Sequence, residues 1–189
     1  LDLDWDRLRT VDLVPFRALI KAGVKSICTA HIWYPKIEPT KGLPATLSKR
    51  ILTGLLREEL GYHGLITSDS FGMQAIRRNF QIEEAAVMAI AAGVDLLLAY
   101  PGTKALNAAI LRAAEKSPEM RARVEESAKR ILEVKAWLQL HRERFVPTGA
   151  EARVPDASRH AELALKVARK AQTVVRDKDM LKTLSSSRV

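Results

Sequence analysis

Asp69 stands in the segment GYHGLITSDSFGM (residues 61–73), directly after a β-branched and apolar run, Leu65–Ile66–Thr67. The run breaks off at Ser68–Asp69–Ser70, and a helical pattern follows Gly72 and Met73. A carboxylate is thereby expected at the carboxyl end of a buried strand. In parallel α/β proteins, ligands bind outside that end of the sheet. A carboxylate held there, ionised at neutral pH, is suited to nucleophilic or electrostatic work, with Ser68 and Ser70 beside it as hydrogen-bond donors. The same position also suits an Asp that caps the turn that follows, and residue types alone leave the two readings open. His31 ends an earlier apolar run on the same expected face. It is read either as a contact to a substrate hydroxyl or as a histidine bonded to backbone. Met73 and Ser70 are candidate pocket residues beside Asp69, with plain loop packing as the other reading of Met73. Trp33 and Tyr34 either stack on a ring-shaped ligand or wedge their loop into the scaffold.

The elements that would position these residues recur as helix, short strand and loop. Residues 12–22 have helical apolar spacing with Gly23 as stop, and residues 26–32 (SICTAHI) read as a strand. Ser48 is a suitable N-cap for a helix over 49–60, with Leu52, Leu55, Leu56 and Leu60 on one stripe. After the 65–67 strand, residues 83–92 read as a helix stopped by Gly93, and 94–100 (VDLLLAY) as a third strand. Helices are expected over 103–115, 118–140 and 159–171, a linker over 141–158, and possible strand residues at 173–175. Strands alternating with helices indicate parallel βαβ units. The continuous apolar run in 94–100 fits a strand covered on both faces. Asp95, at the expected start of that strand, and His63, in a helix-to-strand turn, are read as structural. Three strands make a poor complete sheet with open edges, as a piece of a larger barrel would have.

The 189 residues, 47% hydrophobic and 28% charged, are enough for a domain with a sizeable core. No apolar run approaches the length of a membrane span, and the start shows neither a basic nor an apolar leader region. The absence of an initiator Met raises the expectation of a processed or longer protein, and leaves the compartment open between cytoplasm and export. With Cys28 as the single cysteine, an intramolecular disulfide is excluded and a cysteine-based metal site is not expected. No phosphate-binding glycine loop and no metal-ligand spacing occurs, so no cofactor and no metal are expected. The net charge of +9 is concentrated in residues 121–189, which hold 16 Lys/Arg against 9 Asp/Glu. Acids are interspersed and no aromatic set accompanies the bases, so solvated helix faces rather than a nucleic-acid partner are expected.

TAHIWYP (29–35), the block from 43 to 73, and EAAVMAIAAGVDLLLAYPG (84–102) together resemble glycoside hydrolase family 3, in particular its β-N-acetylglucosaminidase branch. The likeness runs over about residues 8–140, and ARKAQTVVRD (168–177) more weakly resembles the entry to a second domain. The resemblance implies a (β/α)8 barrel, of which residues 1–140 would form the C-terminal part, about three strands with their helices. Residues 141–189 would then be linker, helix and the start of a possible second domain. It further implies a retaining exo-β-glycosidase acting on terminal N-acetylglucosamine, for example in cell-wall peptidoglycan fragments, with Asp69 as nucleophile. His31, Ser70 and Met73 would lie at the substrate. In that branch a histidine assisted by an aspartate, on a K-H-F-P-G-H-G-like loop, serves as acid/base, and other branches use a glutamate of the second domain. That loop signature is not found in this sequence. The implied partners are a carbohydrate substrate and the missing N-terminal half of the barrel. A β-glucosidase of the same family, or a non-catalytic fragment or partner-binding module that keeps the scaffold, are the alternatives.

Overall fold

A computed structural model describes residues 3–98, 102–145, 149 and 157–172. Contacts divide the chain into residues 1–142 and 143–189. The first unit opens with α1 (Trp5–Arg7), a wide-turned stretch Leu8–Asp12 and α2 (Val14–Lys21), followed by β1 (Ser26–Cys28). A tight turn Ala45–Leu47 leads into a helix over Arg50–Glu59 and then β2 (Leu65–Thr67). Four helices complete it: α3 (Gln74–Arg77), α4 (Ile82–Ala92), α5 (Thr103–Lys116) and α6 (Pro118–Trp137). The second unit contains α7 (Ala157–Ala171).

The architecture is α/β with a parallel sheet. Ser26 lies opposite Leu65, Ile27 opposite Ile66 and Cys28 opposite Thr67. Parallel neighbours need a crossover, and the Arg50–Glu59 helix supplies it. Ser48 opens this helix as expected, its Oγ accepting from Ile51 N at 3.2 Å. Leu52, Leu55 and Leu56 are buried along one stripe. Its turns are wider than those of an α-helix, ending with Leu60 N donating to Leu55 O at 2.9 Å, five residues back. Gly61 follows at φ +65°, a conformation costly for other residues.

Both expected longer strands come out shorter, for reasons visible in their hydrogen bonds. Beyond Cys28, the chain at Ala30 and Ile32 turns its carbonyls to Thr46 N (3.3 Å) and Ala45 N (2.8 Å), so the tight turn takes bonds a longer ladder would need. The expected strand over 94–100 reduces, among the described residues, to one parallel bridge between Thr67 and Leu96. Two residues later Leu98 N is taken by the Ser68 side chain (2.9 Å) instead of a strand carbonyl. Residues 99–100 and the possible strand at 173–175 lie outside the described residues.

The core forms where the strands meet the helices. Ile27 and Ile66 from the sheet, Leu52 and Leu56 from the crossover helix, and Ala85, Ala86 and Ala89 of α4 pack with Tyr62, Phe71, Ile76, Val94 and Leu106. Tyr62 is buried with its hydroxyl donating to Leu65 O at 2.9 Å, and burial pushes it up to about 12. Gly64 has no room for a side chain: a Cβ there would lie 2.4 Å from the Tyr62 hydroxyl and 2.8 Å from Lys25 O. Gly64→Ala is therefore expected to destabilise the first unit by about 1–3 kcal/mol, read as a lowered urea midpoint.

Behind the sheet, the Asp95 side chain is fully buried. Its Oδ2 accepts from Arg57 Nη2 (2.5 Å) and Ile66 N (2.9 Å). Its Oδ1 accepts from Arg123 Nη2 (2.6 Å), Ser127 Oγ (2.9 Å) and Arg130 Nη1 (3.2 Å). Arg123, Ser127 and Arg130 fall on one face of α6, so a single carboxylate fixes that long helix against the strands. No helix among the described residues is long and apolar enough to cross a membrane.

Candidate active site

Because β1 and β2 run parallel in register, the residues leaving their carboxyl ends emerge side by side. Thr29 N donates to Thr67 O at 2.8 Å, extending the pairing by one bond. His31 then reaches across to the loop after β2, where Asp69 is half-buried two residues beyond Thr67. Asp69 Oδ1 accepts from the Ser70 main-chain N–H at 2.7 Å. The hydroxyls expected to serve that role are turned elsewhere: Ser68 Oγ accepts from Leu98 N, and Ser70 Oγ accepts from Gly72 N at 3.3 Å. Asp69 is not the N-cap of α3, which is Met73, but its bond from the Ser70 N–H lies at the start of the Ser70–Met73 turn, as an Asp that caps that turn would also show.

The Cys28 thiol, exposed at the end of β1, is pushed up first by partial desolvation and then by the negative charge of Asp69. His31 is half-buried with both ring nitrogens engaged, Nδ1 to Thr46 Oγ1 at 2.9 Å and Nε2 to Ser70 O at 3.1 Å. Its ring meets the buried Phe71 edge-on, with centroids 5.8 Å apart. Met73 is exposed at the far end of the same turn, its N–H donating to Ser70 O at 3.1 Å. Asp69, Ser70, His31 and Met73 are therefore gathered at one end of the sheet.

The loop after β1 is built around Glu38, whose location the sequence did not single out. Glu38 is buried, with Oε2 accepting from Ser48 Oγ at 2.5 Å and Oε1 from Thr40 N at 2.9 Å. Trp33 is tied into this knot, its indole N–H donating to Glu38 O at 2.9 Å, which is the scaffold reading of that residue. Burial works to raise the Glu38 carboxyl, but bonds from Ser48 and Thr40 outweigh it and hold it below its usual value. A carboxylate held low contributes stability above its unfolded pKa, about 4.3, and loses it as pH falls through the folded value. Glu38→Gln is expected to cost about 1–3 kcal/mol at pH 7 and to flatten the loss of stability below about pH 4.3, followed by urea melts across pH. Thr46, fully buried, also escaped sequence reading, because a Thr in a Pro-rich loop carries no local signal of it. Among the described residues, no group of three His, Cys, Asp or Glu is placed to hold a metal ion.

The family model described as the glycosyl hydrolase family 3 N terminal domain matches residues 1–134. The chain belongs to glycosyl hydrolase family 3. Within this family it is 39% identical over 108 residues to "Beta-hexosaminidase A" of Pseudoalteromonas piscicida, covering 52% of this chain and 18% of that protein. It is 33% identical over 178 residues to "Beta-N-acetylglucosaminidase/beta-glucosidase" of Cellulomonas fimi, covering 87% of this chain and 30% of that protein. Among solved structures, a family 3 β-N-acetylglucosaminidase from Paenibacillus sp. matches with a TM-score of 0.73 and 34% identity, covering 94% of this chain and 34% of that one. The chain spans about a third or less of the length of these family 3 relatives.

Proposed function

We propose that this chain forms the C-terminal part of a (β/α)8 barrel in a retaining exo-β-glycosidase that removes terminal β-linked N-acetylglucosamine. The observation that carries the proposal is the placement of Asp69: a half-buried carboxylate at the carboxyl end of a parallel strand, with one oxygen held by a main-chain N–H. Retaining hydrolysis needs an ionised carboxylate that attacks one face of the anomeric carbon while an acid protonates the leaving oxygen from the other. Asp69 is assigned the first role. Ser70 and Met73, on the adjoining turn, and His31 border the sugar-binding side. The acid/base comes from outside this chain. β1 has a neighbour on one side only among the described residues, and an apolar cavity of about 520 Å³ lined by Leu13, Phe16, Ile27 and Leu55 adjoins it. Both fit a sheet that continues into further barrel strands.

The names of the family 3 relatives support N-acetylglucosaminides as substrates, and the Cellulomonas relative keeps β-glucosides as the alternative within the family. A non-catalytic module that keeps the scaffold is the second reading, since no K-H-F-P-G-H-G-like acid/base loop occurs among these residues. The test is an assay of the chain alone and of the complete barrel, assembled with the remaining barrel residues of the Paenibacillus relative. Hydrolysis of an aryl β-N-acetylglucosaminide is expected only from the complete barrel, with the β-anomer released first. A folded complete barrel without turnover would favour the scaffold reading.

A further inference from the structure

We infer that His31 is a positioning residue for Asp69, acting through the turn Ser70–Met73; the inference rests on Asp69 being the nucleophile. The hydrogens in this part of the structure can be assigned in sequence. The Ser70 carbonyl has none, so His31 Nε2 is the donor in their 3.1 Å bond. In the tautomer that carries its proton on Nε2, Nδ1 is an acceptor, and Thr46 Oγ1 donates to it at 2.9 Å. Thr46, fully buried, in turn accepts from Thr29 Oγ1 at 2.8 Å. One directed chain runs from Thr29, next to β1, through Thr46 and His31 to the loop after β2.

What the chain holds is the residue that orients the carboxylate. The Ser70 carbonyl accepts both from His31 and from Met73 N, which closes the turn at 3.1 Å. The Ser70 N–H donates to Asp69 Oδ1 at 2.7 Å. Phe71, buried against the His31 ring, anchors the same turn through its N–H to Leu98 O at 2.9 Å. Ser70 is thus gripped at its carbonyl by His31 and grips Asp69 with its amide, so rotation about its backbone would swing the carboxylate off line. Both His31 nitrogens are spent on protein partners, which sets this duty apart from the direct sugar contact expected from its place at the strand end.

The test uses the complete barrel with His31→Phe, which keeps a ring against Phe71 and loses both nitrogens, and His31→Gln, which keeps a donor. His31→Phe is expected to lower kcat about 10–100-fold, the effect of a misplaced reacting group, with KM nearly unchanged. His31→Gln should restore most of that loss. In the wild-type protein, ¹⁵N NMR should find a proton on Nε2, bonded to the Ser70 carbonyl. A raised KM at unchanged kcat would make His31 a sugar contact and overturn the inference, as would wild-type kcat in both variants or an Nε2 that carries no proton. If His31→Phe does not fold, the comparison of His31→Gln with wild type and the NMR result decide. Asp69→Asn is assayed in parallel. Its failure to reduce turnover would remove the nucleophile reading itself, whereas a dead Asp69→Asn beside a fully active His31→Phe would remove only the positioning role.

Discussion

Asp69→Asn in the complete barrel is expected to lower kcat for a β-N-acetylglucosaminide by about 10³-fold or more, without loss of fold. The substitution exchanges an anionic oxygen for a neutral amide of nearly the same shape. The remaining oxygen can still accept from the Ser70 N–H, and Asp69 makes no contribution to capping α3, so the loop has no reason to move. What is lost is the charge and the lone pair that would attack the anomeric carbon. Unfolding midpoints within experimental error of wild type, together with the collapse in kcat, are the expected pair of results. Turnover like that of wild type would remove Asp69 from the mechanism.

The second large effect is on stability and lies at the other end of the strands. Asp95→Ala should destabilise the first unit by about 2–4 kcal/mol, because it removes the buried carboxylate around which the half-buried Arg57, Arg123 and Arg130 converge, leaving Glu126 as the counter-charge of the last two. Asp95→Asn should be only slightly milder, since an amide cannot take five donors on two anionic oxygens. Burial alone would raise the Asp95 carboxyl; the Ile66 N–H and the arginines more than offset this and hold it below its ordinary value. The stability this carboxylate contributes is complete above its unfolded pKa of about 3.9 and is lost as pH falls through the lower folded value. Urea melts of wild type and Asp95→Asn should therefore differ most above about pH 5 and converge in stronger acid. A variant as stable as wild type at pH 7 would show that α6 is held by packing alone.

Sequence reading found the features that depend on neighbours along the chain. Ser48 opening its helix, the buried leucine stripe at 52, 55 and 56, and Gly93 closing α4 are all local devices with recognisable residue types. The apolar run at 65–67 was likewise legible as a strand, and so was the position of Asp69 just beyond it. Strand length was not legible in the same way. Whether residues 29–32 or 97–98 extend a ladder depends on what competes for their main-chain groups, and the competitors, Ala45, Thr46 and the Ser68 hydroxyl, lie 13 to 30 residues away. The wide winding of Arg50–Glu59 has no mark in its composition, which reads as an ordinary amphipathic helix.

The same division holds for the candidate site. Residue type and strand position brought out Asp69, Ser70, His31 and Met73, but not how they are connected. A hydrogen-bond chain that passes from Thr29 to Thr46 to His31 to Ser70 involves separations of 17, 15 and 39 residues, and only the folded chain brings them together. Asp95 was legible as structural from its place at the start of a strand, yet its partners, Arg57, Arg123, Ser127 and Arg130, lie 28 to 38 residues from it. Glu38 gave no sign at all, because a single Glu in a Pro-rich loop ordinarily points to solvent.

The central claim is that Asp69 forms a covalent glycosyl intermediate, and the most direct test is to trap it. The complete barrel would be incubated with a 5-fluoro-N-acetylglucosaminyl fluoride, digested and mapped by mass spectrometry, with Asp69→Asn as control. A glycosyl adduct on Asp69 in the wild-type protein, absent from the control, is the predicted result. A folded, hydrolytically active barrel whose adduct maps to a different carboxylate, or that forms none, would contradict it.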